Sequence, residues 1–427
     1  MKVAFLTLGC KVNQYETQAM REILEKDGFL SVPFEDIADL YIINTCTVTN
    51  IADRKSRQMI NQAHRRNPDA KICVCGCLAQ RDAVSLKAVP YIDAVIGVNE
   101  KQNISGIVKS IFSNKTQVLD VSDIMSQREY DSLKISRQDE RVRANLKISD
   151  GCTNFCSYCI IPYARGPVRS KSLDDIKKEA SVLAESGIKE IVLTGIQVAS
   201  YGKDLESSTD LCDAINAARA EGIKRIRLSS MEPRILTDEF CSRLSEIPEL
   251  CRHFHISLQS GSDTVLKRMN RKYTSAEYER YINNLRRHFD RPSITTDVIV
   301  GFPGETASEF EETAAFLKKI GFLRVHLFPY SKREGTPAAK MGGQIPNSEK
   351  KERLSILSDI QKDITYEILK SFVGSKDRVL IETEGTDGFS YGHTDRYIEV
   401  RCEGKPNEFK DVIIRSVDGE ILTADNV

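Results

Sequence analysis

The chain has 427 residues, 41% of them hydrophobic, and its 61 basic and 61 acidic side chains leave no net charge at neutral pH. That length exceeds what one hydrophobic core serves, so two or three domains are expected, and the even balance excludes a uniformly basic nucleic-acid binder. No apolar stretch approaches a membrane span, and the run Val3 to Leu8 before Gly9-Cys10 is too short for a signal peptide, so a soluble, cytoplasmic protein is expected, with its twelve cysteines serving metal or catalysis rather than disulfides.

Residues 1–125 alternate short β-branched runs with helical patterns. Lys2 to Gly9, Tyr41 to Thr45, Lys71 to Gly76 and Ala94 to Val98 read as strands, and Asn13 to Lys26, Asn50 to Arg66, Ala79 to Val89 and Asn103 to Phe112 as helices. This order predicts an N-terminal α/β domain with a parallel sheet. Cys10, Cys46 and Cys77 each fall just past the carboxyl end of a strand, the edge at which open α/β sheets hold ligands. Three thiolates converging there suggest an iron-sulfur cluster with one iron lacking a protein ligand. Cys73 and Cys75 share a strand face by period-two alternation and compete with Cys77 for the role. Cys77 is favoured because it ends the run, which leaves the other two to the core or to the cluster's surroundings.

Residues 126–140 are polar and weakly periodic, as a linker would be. Beyond them Asn145 to Ser149 alternates like a strand and leads into GCTNFCSYC, where Cys152, Cys156 and Cys159 stand in a C-x3-C-x2-C arrangement. Three thiolates so spaced can hold one corner of a cubane cluster and leave its fourth iron open to a substrate. Further strands are expected at Ile191 to Thr194, Arg225 to Ser229, Phe254 to Leu258, Ile294 to Val300 and Arg324 to Phe328, with helices between and after them, such as Leu173 to Ser186, Glu305 to Ile320 and Ser348 to Phe372. Six such units over 141–372 suit a partial parallel (βα)6 barrel, whose chemistry gathers at the carboxyl ends of its strands. The polar residues expected there are Gly195, Gln197, Glu232, Arg234, Gln259, Ser260, Asp297, the Gly-rich turn from Gly301, Tyr330 and Arg333. With Tyr158 inside the cysteine loop, they describe a cofactor pocket. His253 and His255 alternate on one strand and read as structural residues facing the barrel interior.

From residue 373 onward the pattern changes to short strands, Asp377 to Glu382, Gly392 to Val400 and Asp411 to Val417, which predicts a small antiparallel β-barrel. Charge is uneven: residues 141–370 carry 36 basic and 31 acidic side chains, and residues 371–427 carry 7 and 12.

The runs LGCKVNQ, INTCTV and CGCLAQ, the loop GCTNFCSYCIIPYARG, and LTGI, SSMEP, LQSGSDTVLKRMNRKYT and VIVGFPGE together resemble the radical S-adenosylmethionine methylthiotransferases over essentially the whole chain. FCSYCIIPYARG and HLFPYSKREGTPAA are most similar to the members acting on N6-threonylcarbamoyladenosine at position 37 of tRNA, and the C-terminal segment resembles the family's TRAM domain. The resemblance implies that Cys152, Cys156 and Cys159 hold the 4Fe-4S cluster that cleaves S-adenosylmethionine, and that Cys10, Cys46 and Cys77 hold an auxiliary 4Fe-4S cluster. It also implies transfer of a methylthio group to adenine C2, a position that neither a base nor a simple nucleophile can activate, together with an electron donor such as flavodoxin or ferredoxin and a sulfur donor. The modified base carries a carboxylate, for which the planar forks of Arg165 and Arg169 are the candidates, while basic clusters of the middle domain would meet phosphate. The rival expectations are a methylthiotransferase for isopentenyladenosine in tRNA or for a ribosomal-protein aspartate, an iron-sulfur RNA-binding module without turnover, and a zinc hydrolase.

Overall fold

Short β-branched runs, each followed by an amphipathic helix, build the first domain. The computed structural model describes residues 1–427 apart from 114–116, 139–141, 207 and 387. Strands β1 (Lys2–Thr7), β2 (Leu30–Val32), β3 (Leu40–Thr45), β4 (Lys71–Gly76), β5 (Ala94–Ile96) and β6 (Val118–Asp120) form one parallel sheet in the order β2-β1-β3-β4-β5-β6. Helices α1 (Lys11–Lys26), α2 (Asn50–Arg66), α3 (Cys77–Arg81), α4 (Ala83–Lys87) and α5 (Ile104–Ser113) cover both faces. One face buries Val3, Phe5 and Ile42 against Met20, Leu24 and Ile107; the other buries Tyr41 and Ile43 against Ile60 and Ala63. The sheet has two three-residue edge strands, β2 and β6, that alternation is too short to reveal. The single helix expected over 79–89 breaks at Asp82, whose φ of −128° and ψ of 40° leave the helical region.

The stretch expected to be a linker is an ordered strap. It has no regular structure over 126–138, yet Leu133 and Ile135 are buried in the core of the central domain. The Tyr15 hydroxyl of α1 donates to Leu133 O at 2.7 Å. Residues 139 and 140 of the expected linker, and Arg141, lie outside the described residues.

The central domain has β7 (Arg143–Asp150), β8 (Arg169–Ser170), β9 (Glu190–Gly195), β10 (Arg225–Leu228), β11 (His253–His255), β12 (Ser293–Val300) and β13 (Arg324–Pro329). The sheets β8-β7-β9-β10 and β11-β12-β13 are joined by parallel bridges Ile226 to Leu250 and Met231 to Ile256. Apart from β8, a two-residue antiparallel edge on β7, six strands run parallel around an open barrel, as expected from the βα repeats. Helices α6 (Ile161–Arg165), α7 (Leu173–Glu185), α8 (Leu211–Ala217), α9 (Asp238–Ser245), α10 (Asp263–Arg268), α11 (Ser275–His288), α12 (Ala307–Ile320) and α13 (Asn347–Lys370) surround it. Strand period decides which residues face the lumen. Phe254, Ile256 and Leu258 are fully buried in one core with Tyr278, Ile282 and Leu285 of α11, each contributing about 1.5–3 kcal/mol. His253 and His255 therefore turn inward, where both ring systems lie 3.0 Å from the Thr295 hydroxyl of β12.

The last domain is a closed barrel of β14 (Lys376–Glu384), β15 (Ser390–Thr394), β16 (Glu399–Cys402), β17 (Phe409–Asp418) and β18 (Ile421–Asn426). It is antiparallel as expected except for the β16–β18 pair. The expected strand over 392–400 is instead a hairpin: Gly392 pairs with Val400 and His393 with Glu399, and Tyr397 occupies the turn at φ 61°. That turn closes the floor of the central barrel, with the Tyr397 ring 5.0 Å from His253 and the Arg227 guanidinium 4.6 Å above it. Among the described residues no helix is long and apolar enough to cross a membrane.

Candidate active site

Strands β1, β3 and β4 end at one edge of the first sheet, and a cysteine follows each. Cys10 caps α1, Cys46 follows β3, and Cys77 opens α3. The loops lie on one another: Gly9, at φ +100°, leaves no room for a side chain, because a Cβ there would fall 2.8 Å from Cys46 Cβ and 2.9 Å from its Sγ. The Asn13 amide ties the first two loops together by donating to Leu8 O at 2.7 Å and Thr45 O at 3.0 Å. Burial pushes the Cys46 thiol up to about 11, and Cys77 and Cys10 push it the same way; burial and Cys10 likewise raise Cys77, against the pull of Arg165. Cys46 thus feels both of the other cysteines, and Cys77 feels Cys10. Cys73 and Cys75 do not join them. They remain on β4, fully buried with Phe5 and Met20, and burial holds Cys75 at about 12.

The second triad follows β7. Cys152 N donates to Gly166 O at 3.0 Å, Cys159 N to Cys156 O at 2.9 Å, and Phe155 takes φ 46° to fold the loop tightly. Burial, then Cys156 and Cys152, lift the Cys159 thiol to about 12. Arg271, which the sequence pattern does not single out, points Nη1 at Cys156 Sγ from 3.3 Å and donates Nε to the Tyr273 hydroxyl at 2.9 Å.

Arg165 is not a free substrate fork. Arg165 is fully buried. Its Nη1 donates to Glu16 and Asp150, both at 2.9 Å, its Nη2 to Asn13 Oδ1 at 2.5 Å, and its Nε to Cys77 Sγ at 3.3 Å. Every guanidinium nitrogen is engaged. Arg169, also buried, donates Nη1 to Arg165 O at 2.9 Å and Pro167 O at 3.0 Å, while its Nε and Nη2 have no hydrogen-bond partner among the described residues. Against the upward push of burial, Arg165, Lys101 and Lys147 hold the Glu16 carboxyl well below the usual range, and Arg165, Lys147 and Arg169 do the same for Asp150. This buried charge network joins α1 of the first domain to the strand feeding the second triad. Arg333 makes a second clasp: after β13 it donates to Asp53 at 2.8 Å and Thr47 at 2.7 Å, beside Cys46. The Arg165 network thus ties Cys77 of the first triad to Asp150, two residues before Cys152 of the second.

The expected pocket residues divide. Glu232 and Arg234 pair with each other at 2.7 Å, and Gln197 is buried with its Oε1 unpartnered among the described residues. Gln259, at φ 74°, stitches the strand end by donating to Asp297 O and accepting from Ile299 N. Gly195 is tight against Ser149, whose Oγ would be 2.3 Å from a Cβ. Tyr158 stands edge-on to Phe302, ring centres 6.5 Å apart. The room a side chain would need at Gly301 is filled by Lys350 Cγ, so that glycine serves packing on α13; Gly304, at φ +74°, is the open one. Asp297 lies within β12 rather than past its end, its carboxylate 3.2 Å from His255 Nε2.

The profile of the Radical SAM superfamily matches residues 146–317, and that of an uncharacterized family, UPF0004, matches residues 2–97. The chain is 42% identical to the threonylcarbamoyladenosine tRNA methylthiotransferase MtaB of Bacillus subtilis, over 99% of this chain and 94% of the relative. It is 41% identical to MtaB of Thermotoga maritima, over 97% and 94%. A tRNA-2-methylthio-N(6)-dimethylallyladenosine synthase of Acetivibrio thermocellus is 37% identical, over 88% and 79%. The radical S-adenosylmethionine methyltransferase TsrM of Kitasatospora setae, solved with cobalamin and a [4Fe-4S] cluster, shares the fold at a TM-score of 0.54 and 16% identity, over 79% and 73%. With two cysteine triads, each following strand ends, and relatives of this identity running its whole length, the chain belongs to the radical S-adenosylmethionine methylthiotransferases.

Proposed function

We propose that this enzyme adds a methylthio group to C2 of N6-threonylcarbamoyladenosine at position 37 of tRNA, giving 2-methylthio-N6-threonylcarbamoyladenosine. Relatives 42% and 41% identical act on threonylcarbamoyladenosine in tRNA by name, against 37% and 35% for two dimethylallyladenosine synthases. The observation that carries the reading is the clasp of Arg165, which touches Cys77 of one triad and is fastened to Asp150, the residue leading into the other.

The donor chemistry fits two 4Fe-4S clusters: each triad offers three thiols that interact electrostatically, and each has one thiol facing an arginine, Cys77 with the buried Arg165 and Cys156 with the half-buried Arg271. Cys10, Cys46 and Cys77 would hold the auxiliary cluster, and Cys152, Cys156 and Cys159 the one that binds S-adenosylmethionine. When bound, these groups supply the radical, the methyl group and the sulfur. The protein contributes placement. Gly9 and Asn13 fix the first triad, Arg165 and Arg333 hold it over the barrel, and Tyr158, Gly195, Gln197, Glu232, Arg234, Gln259, Asp297 and the turn from Gly301 line the cofactor side. The anticodon loop is single-stranded, so its base can enter without opening a duplex. A flavodoxin- or ferredoxin-like electron donor and a sulfur donor complete the reading. Mass spectrometry of tRNA nucleosides from cells lacking the gene tests it. The methylthio nucleoside is expected to vanish and its unthiolated precursor to accumulate; loss of the methylthio form of isopentenyladenosine instead would transfer the chain to the other substrate.

A further inference from the structure

Chemistry on one base of a tRNA requires that the rest of the RNA be held, and the central domain has few cations left for that. Arg165, Arg169 and Lys171 are buried. Arg143 and Lys147 face Glu190 and Asp150, Arg268 pairs with Glu309 at 2.8 Å, and Arg271 points at Cys156. Arg225 and Arg227 are turned onto the C-terminal barrel, Arg225 donating to His393 O at 2.8 Å and Arg227 to Thr394 O at 3.4 Å. Among the described residues of these basic runs, Lys224, Lys267 and Lys272 stay at the surface.

Helix α2 of the first domain shows the opposite pattern. It buries Ser56, Ile60 and Ala63. Its outer face carries Arg54, Lys55, Gln58, Asn61, Gln62 and Arg65, all exposed and, at 3.6 residues per turn, within about 120° of one another. Five of the six, with Arg57, line one open depression. Arg54, Lys55 and Arg65 have no ion pair or side-chain hydrogen bond among the described residues. The one acidic residue of the helix, Asp53, is taken by Arg333 at 2.8 Å, and Arg57 is taken by Asp82. The face therefore keeps three free cations, interleaved with three amides.

The same helix starts beside the first triad. Ser56 Oγ donates to Cys46 O at 3.1 Å, and Asn50 Nδ2 donates to Lys332 O of the central domain at 2.8 Å. From Arg54 to Arg65 the face extends about 16 Å, enough to follow several successive phosphates.

We infer that the outer face of α2 binds the phosphate backbone of the tRNA, with Arg54, Lys55 and Arg65 meeting phosphates and the amides hydrogen-bonding phosphate or ribose oxygens. The inference rests on the tRNA reading above and adds the surface that holds the RNA. An acidic electron-donor protein would complement the same cations. The amides between them favour RNA, because Asn and Gln serve phosphate and sugar oxygens and bring no charge to a carboxylate surface.

The test is equilibrium binding of an anticodon stem-loop RNA by the reconstituted holoenzyme over a series of salt concentrations. Each phosphate contact contributes about 0.7–0.9 to the slope of log K against log salt. The variant Arg54→Gln/Lys55→Gln/Arg65→Gln is therefore expected to flatten the wild-type slope by about 2–3 and to weaken binding at low salt by about tenfold or more. The loss should be the same for RNA with and without the threonylcarbamoyl group, since phosphate contacts carry no base information. A control, Lys26→Gln/Lys177→Gln/Lys178→Gln, removes the same charge from exposed lysines of α1 and α7 and should keep the wild-type slope. Iron content confirms that both variants are intact. An unchanged slope in the α2 variant overturns the inference, as does an equal loss in the control. So does an α2 variant that binds RNA as wild type does but is reduced more slowly by flavodoxin, which gives the face to the electron donor. Wild-type protein that binds no RNA overturns the substrate reading instead.

Discussion

Replacing Arg165 by methionine removes a cation that three acceptors and one thiol share while keeping most of its volume. Glu16 and Asp150 stay behind, both essentially without exposure. Breaking a buried ion pair from one side costs about 3–5 kcal/mol. Here Lys147 remains 2.8 Å from Asp150 and 3.2 Å from Glu16, with Lys101 also on Glu16, so the lower end, about 3 kcal/mol, is expected for Arg165→Met. Adding Asp150→Asn should recover part of it, because one stranded charge is then gone. Urea unfolding of the three proteins, followed by circular dichroism, gives the comparison, and iron analysis should show loss from the Cys77 triad first. If Arg165→Met unfolds within about 1 kcal/mol of wild type, the guanidinium is not holding these carboxylates in solution, and the expectation of a free substrate-reading fork revives.

Other outcomes follow from single contacts. Gly9→Ala should fold yet lose about half its iron, since the new methyl group meets Cys46 Cβ at 2.8 Å in a backbone conformation that L residues resist; full iron loading would refute the tight stacking of the two loops. Arg271→Met should make the cluster of the Cys152 loop harder to reduce, because a cation 3.3 Å from Cys156 Sγ favours the more negative state, and an EPR-monitored redox titration would show an unchanged potential if the contact does not form. The Glu190 carboxyl, held at about 2 by Arg227 and Arg143 against the upward push of burial, contributes stability that is complete above its unfolded pKa near 4.3 and is lost as pH falls toward 2, on the order of 3 kcal/mol. Glu190→Gln should flatten that acid limb of the stability curve, and an unaltered slope would contradict it. Cys73→Ala and Cys75→Ala should retain the iron that Cys77→Ala loses.

Local spacing explains what could be read in advance. Cys152, Cys156 and Cys159 lie within eight residues, and Cys10, Cys46 and Cys77 each follow a strand whose carboxyl end the βα order already directs to one edge. Arg165 was misread because its neighbours in sequence, a loop and a five-residue helix, suggest exposure, whereas its partners Glu16 and Cys77 come from a different domain. The same reason hid Arg271, whose aim is set by tertiary contacts rather than by pattern. Leu133 and Ile135 sit in a polar stretch without period, so only the surface they cover reveals that the strap is packed. The hairpin at Tyr397 imitated one strand because alternating residues continue across its turn.

The most direct test incubates anaerobically reconstituted protein with threonylcarbamoyladenosine-containing tRNA, reductant and S-adenosylmethionine bearing a deuterated methyl group, with Cys77→Ala and Cys156→Ala in parallel, and analyses the nucleosides by mass spectrometry. Wild-type protein should yield the deuterated methylthio nucleoside; Cys156→Ala should release no 5′-deoxyadenosine, and Cys77→Ala should attach no sulfur. Methylthio product from either variant would mean that the two triads are not the paired centres of one reaction.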